Sequence, residues 1–167
     1  MEEFFIRSIV KVKENELKEF NYKILYNLIP TKRNLFLWKL RNEDICEVCK
    51  TVEDLQHTFI YCQLNHYFYS KLKYMILKKF DLELSLNDDI LLKLYSDSMI
   101  DDIITIALWS IHKLVMLRNV TGKDDREKKL WHLFCNEISI RLEINKVYEK
   151  KGKALLYNIP CDLNPFM

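Results

Sequence analysis

Apolar residues recur at helical spacing along most of this chain. From about Glu16 the positions Leu17, Phe20, Ile24, Leu25 and Leu28 predict a helix that Pro30 ends. Thr31 is a good N-cap for a second helix over 32–40, where Lys32, Arg33, Lys39 and Arg41 surround Leu35, Phe36 and Trp38. A later helix carries the stripe Tyr67, Phe68, Leu72, Met75 and Ile76, with Lys71, Lys73, Lys78 and Lys79 off it. Ser85 and Asp88 have the Ser-x-x-acid look of a cap before a short stretch over 90–94. Asp101 and Asp102 open a long helix through Ile104, Leu108, Ile111 and Val115. It is apolar nearly all round until His112, which predicts a central core helix, and Gly122 stands where a C′ residue would stop it. Asp124 and Asp125 open the last helix, on Leu130, Phe134, Ile138 and Leu142, with Lys150 and Lys151 at its end and Gly152 closing it. Residues 4–12 are β-branched and aromatic, which suits a short strand or an extended arm.

These elements predict an all-α fold, a compact bundle of five or six helices with a short N-terminal extended segment. The expected organisation is an arm over 1–15, helices and the cysteine-rich segment over 16–80, further helices over 81–152 packed on the same core, and a tail over 153–167. Composition agrees: 2 glycines and 3 prolines leave little turn chemistry for a many-stranded β fold, while 49% hydrophobic residues are ample for a core. No apolar run reaches membrane-spanning length, and the opening Glu2 and Glu3 show no secretory signal.

The formal net charge of +2 is small for a protein that holds nucleic acid by phosphate neutralisation. The charge is uneven, however. Residues 81–102 are acidic with Lys93 as the single cation, whereas 11–41 and 118–153 lean basic, and any nucleic-acid face is expected on those two flanks.

The densest candidate chemistry lies between residues 46 and 62. Cys46 and Cys49 are separated by two residues, His57 follows after seven more, and Cys62 after another four. Three thiols and an imidazole close a tetrahedral zinc site and leave no open position for water, so the expected zinc is structural rather than catalytic. The rival readings are a redox pair and plain burial of small thiols. A redox pair wants a βαβ setting, which the surrounding pattern lacks. Asp54, Leu55 and Gln56 look like a helix start. His57 and Cys62 are five apart, so a bend or a helix end must complete their geometry. An odd number of cysteines with metal spacing points to a reducing, intracellular setting, nuclear or cytoplasmic.

Upstream of the cysteines stand YKILYNLIPT, beginning at Tyr22, and NLFLWKL, beginning at Asn34. Glu53 precedes His57 by four residues, and Phe59 and Tyr61 lie between His57 and Cys62. Together these features resemble the zinc-binding domain found downstream of the reverse transcriptase in non-LTR (LINE-type) retrotransposons. The match covers roughly residues 18–75; Trp109, Lys113, Arg118 and Asn119 extend it more weakly. The resemblance implies a non-catalytic RNA- or DNA-binding module, from a fragment of such an element or a descendant without its polymerase. The rival class is a helical protein-interaction module with a purely structural zinc.

No enzyme is expected. Asp88–Asp89, Asp101–Asp102 and Asp124–Asp125 each precede a helical pattern, where capping accounts for them, and no polymerase hairpin of paired carboxylates is present. Cys135 reads as a buried thiol, Cys161 as a stray one, His66 as a substitute ligand at best, and His112 and His132 as core or boundary histidines. For nucleic acid the candidates are Lys32, Arg33, Lys39 and Arg41 against phosphates and Trp38 against an unpaired base. The commoner fate of Leu35, Phe36 and Trp38 at this spacing is packing on the core.

Overall fold

The structure, a computed structural model, describes residues 14–87, 89–92, 98–116, 123–155, 157 and 159–163. Among them are six α-helices: α1 (Asn15–Leu25), α2 (Lys32–Leu37), α3 (His66–Phe80), α4 (Asp89–Leu92), α5 (Ser98–Met116) and α6 (Lys123–Lys150). The described residues form no strand, only one antiparallel bridge between Ile45 and Val52. The all-α expectation holds. The arm over 4–12, Asp88 and Gly122 lie outside the described residues.

The chain forms two units. The first comprises Met1–His66 and Leu86–Leu92, the second Tyr67–Ser85 and Lys93–Met167.

In the first unit α1 buries Leu17, Phe20 and Ile24 as expected, and the Phe20 ring meets Phe59 at 6.0 Å between centroids. The helix stops earlier than Pro30, however. Asn27 takes a left-handed φ of 52°, its N–H donates to the Ile24 carbonyl, and Leu28 N–H donates to Lys23. This double bond pattern is a Schellman close. It reverses the chain, so that Leu28 is exposed and Ile29 is buried in its place. Asn34 fixes the turn from below, donating its side-chain amide to the carbonyls of Asn27 and Ile29 at 2.8 and 2.7 Å.

Helix α2 starts on the Thr31 cap, whose hydroxyl accepts from Asn34 N–H at 3.1 Å. It ends at Leu37 rather than near Leu40, because Lys39 at φ 61° repeats the same close: Lys39 N–H to Phe36, Leu40 N–H to Leu35. The expected packing of its aromatic side is reversed. Thr31, Lys32 and Asn34 are buried, while Phe36, Leu37 and Trp38 are exposed.

In the second unit α5 is the buried helix the pattern called for. Ile103 through Leu108, Ser110 and Ile111 are all buried, although the helix begins at Ser98, ahead of the aspartates. It packs along α6, where Leu130, Phe134, Cys135 and Ile138 are buried. Burial pushes the Cys135 thiol up to about 11, as an inert core thiol requires. Helix α3 buries Phe68, Tyr69, Leu72 and Ile76, a stripe rotated from the expected one so that Tyr69 is inside and Tyr67 outside. Phe68 meets Phe134 edge-on at 5.5 Å and Trp131 at 6.0 Å. Gly152 closes α6 at φ 64°, as expected.

Among the described residues, no helix is long and apolar enough to cross a membrane.

Candidate metal centre

Residues 44–53 form a tight hairpin whose ends are tied by backbone bonds. Cys46 N–H donates to Thr51 at 2.8 Å, Glu53 N–H donates to Asp44 at 2.8 Å, and Ile45 bridges Val52. At its tip Lys50 N–H donates to the Cys46 carbonyl and Lys50 takes φ 58°, which folds Cys46 and Cys49 onto one side. The hairpin docks on α2 through backbone and charge. Arg33 N–H, an orphan donor of the first helical turn, reaches the Glu53 carbonyl at 3.1 Å. Lys32 Nζ lies 2.8 Å from Glu47 and 3.7 Å from Glu53, and donates to the Ile45 carbonyl at 3.3 Å.

The other two ligand candidates come from the segment after the hairpin. Asp54 caps it, its carboxylate accepting from His57 N–H at 2.8 Å. After a short helical turn the chain widens into a π-helical turn, His57–Tyr61. Cys62 N–H donates to the His57 carbonyl at 2.8 Å, an i to i+5 bond. This widening is what brings residues five apart toward one face, where an α-helix would leave them about 140° apart around its axis. Asn65, fully buried, donates its amide to the carbonyls of Thr58 and Phe59 at 2.9 and 3.2 Å. It thereby ties the π turn to the 3₁₀ turn Gln63–Asn65.

The result gathers Cys46, Cys49, His57 and Cys62, with one ligand atom from each, all within 4.8 Å of one another. Cys49 and Cys62 sulfurs stand 3.9 Å apart. That is far beyond a disulfide bond and close to the edge of about 3.8 Å that bonds of about 2.3 Å give a tetrahedron. His57 Nδ1 lies 3.2 Å from the Thr51 hydroxyl, while its Nε2 is buried with no hydrogen-bond partner. An orphaned buried nitrogen is costly unless something else accepts its lone pair. Burial lowers the His57 pKa, against the opposing pull of Glu53 and Asp54, which favours the neutral ring that a metal needs. Gln63 N–H donates to Cys49 Sγ at 3.3 Å, the kind of support a thiolate takes. These four residues can hold a metal ion. His66 is exposed and stands outside the group.

No protein-family model, curated protein or solved structure matches the chain.

The five residues expected to meet nucleic acid divide in two. Lys32 is buried in its ion pairs, and Arg33 Nη1 lies 2.5 Å from Asp44. Trp38, Lys39 and Arg41 are exposed, Trp38 at 45%. Sequence reasoning passed over Thr51, Asn34 and Asn65. Nothing marks Thr51 or Asn65 in the sequence, since each acts on a group made available by backbone turns; the capping pattern around Thr31 was the one local signal pointing at Asn34.

Proposed function

We propose that the four-residue centre binds zinc and that the chain is a non-catalytic nucleic-acid-binding module, for RNA first, of the kind carried by non-LTR retrotransposon polyproteins. The observation that carries the reading is the docking of the centre on α2. The four clustered side chains, the hairpin, Lys32 and Glu53 form one clamp, and the clamp holds α2 and the turn after it with Trp38, Lys39 and Arg41 outward. Three thiolates and an imidazole are the donor set that suits zinc, and a closed set supplies folding energy rather than chemistry. Zinc would contribute on the order of 10 kcal/mol to the folded state. Such a module belongs in a reducing, intracellular compartment, and it needs no catalytic group.

A second reading has its own observation. Leu37 and Leu40 are 57% and 69% exposed beside Trp38, a patch that also suits a protein partner. Salt separates the two. For RNA, affinity falls steeply with added salt, and Arg41→Glu and Trp38→Ala weaken it. Affinity for RNA that ignores salt and both substitutions would overturn the RNA reading. Metal analysis tests the centre: Cys49→Ser should lose about one equivalent of zinc, and retained metal would refute the ligand set.

A further inference from the structure

Lysines on a helix usually make a solvated face, and part of α3 fits that account. Lys79 sits in its last turn, where the helix dipole favours cations, and pairs with Asp162. The rest of the helix does not fit. Its 15 residues contain no carboxylate, in a chain with 24 acidic residues. Tyr67, Lys71, Tyr74 and Lys78 follow one another at steps of four, three and four, and with Ser70 and Leu77 they form one stripe, with Lys73 at its edge. Its apolar arc is already turned inward, on Phe68, Tyr69, Leu72 and Ile76. The outer arc therefore does not build the core, yet it displays Tyr74 at 62% exposure and Tyr67 at 44%.

Cations and rings interleave along this stripe. Lys71 Nζ lies 5.0 Å from the Tyr67 ring centre and 5.1 Å from that of Trp131, and Lys78 Nζ lies 5.7 Å from that of Tyr74. Among the described residues, none of Lys71, Lys73 and Lys78 has a carboxylate at ion-pair distance. An ammonium over an exposed ring is a weak contact, readily exchanged for a phosphate.

We propose that the outer face of α3 binds single-stranded nucleic acid, with unpaired bases stacking on Tyr67 and Tyr74 and phosphates meeting Lys71, Lys73 and Lys78. Separated rings with cations between them match a strand's alternation of base and phosphate. Paired bases keep their faces covered, which excludes a duplex as the preferred ligand. A membrane surface would want a continuous apolar outer face, which α3 lacks. The proposal shares a ligand class with the α2 reading but stands on another helix in the other unit, so either can fail alone.

The test uses the full, zinc-loaded chain with fluorescent oligo-dT and oligo-U, a DNA duplex, and phosphatidylserine vesicles, each titrated across salt. Tyr74→Ala should weaken oligonucleotide binding roughly tenfold, while Tyr74→Phe, which keeps the ring, should not. Replacing Lys71, Lys73 and Lys78 together by Gln should flatten the slope of log K against log salt by about 2. Equal loss for dT and U supports a shared single-strand surface, and loss for one alone supports a surface selective for DNA or RNA. Trp38→Ala with Arg41→Glu is measured in parallel. If that pair abolishes binding while folded α3 variants bind like the parent, the α3 proposal falls and the α2 reading stands. Duplex bound as tightly as single strands, or binding to vesicles alone, also overturns it. The substituted side chains are exposed or half-buried, and thermal melting of each variant checks that it folds.

Discussion

Cys62 donates its N–H to the carbonyl of His57 across five residues, and this bond brings together the last pair of the candidate metal centre. In an α-helix the same two side chains would diverge around the axis. Asn65 braces the π turn by donating to the carbonyls of Thr58 and Phe59. Replacing Asn65 by Ala removes both buried bonds and should destabilise by about 1–3 kcal/mol. Asn65→Asp, which sets an acceptor against acceptors, should cost more than Ala in urea unfolding. Equal stability of all three proteins would show that the π turn stands without this brace.

Thr51 orients the ring that offers Nε2. Its hydroxyl lies 3.2 Å from His57 Nδ1 and can accept from an N–H there, the tautomer that leaves the other nitrogen for metal. Thr51→Val keeps the shape and removes the partner. Zinc affinity in a chelator competition should fall about 10- to 100-fold, as for other partners of ligating histidines. Stoichiometry should stay at one equivalent, since all four ligands remain.

Lys39 closes α2 in a left-handed conformation that glycine adopts without strain. Non-glycine residues pay roughly 1 kcal/mol there. Lys39→Gly should therefore raise thermal stability, while Lys39→Ala, which loses the same charge, should not. A gain from both substitutions would assign the effect to charge rather than backbone.

Glu137 supplies the pH dependence. Burial alone would raise its pKa, but hydrogen bonds from Lys113 and Arg141, at 2.7 and 2.6 Å, outweigh that and hold it below the usual 4.5. A carboxyl with a lowered folded pKa stabilises fully above its unfolded value. That contribution is lost as pH falls through the folded one. Glu137→Gln removes the buried carboxylate charge that pairs with Arg141 and Lys113 and should cost about 3 kcal/mol at neutral pH. Urea unfolding across pH should show the gap between the two proteins closing below about 4.5, and a gap that persists in acid would refute this assignment.

The sequence by itself determined the helical class, the buried character of α5, the Thr31 and Gly152 boundaries and the identity of the four clustered candidate ligands. Each of these depends on local periodicity or on residue types at short spacing, which the chain carries wherever it folds. Tertiary structure decided the rest. Leu28 and Trp38 face water because Asn27 and Lys39 turn left-handed, a choice that sequence makes visible only when glycine occupies the site. Lys32 and Arg33 are bound to Glu47, Glu53 and Asp44 because the hairpin folds back on α2, and no local pattern pairs residues so far apart. The five-residue gap from His57 to Cys62 left the ligand geometry open. It closed only when a widened turn, braced by Asn65 from the following 3₁₀ segment, set both side chains toward one point.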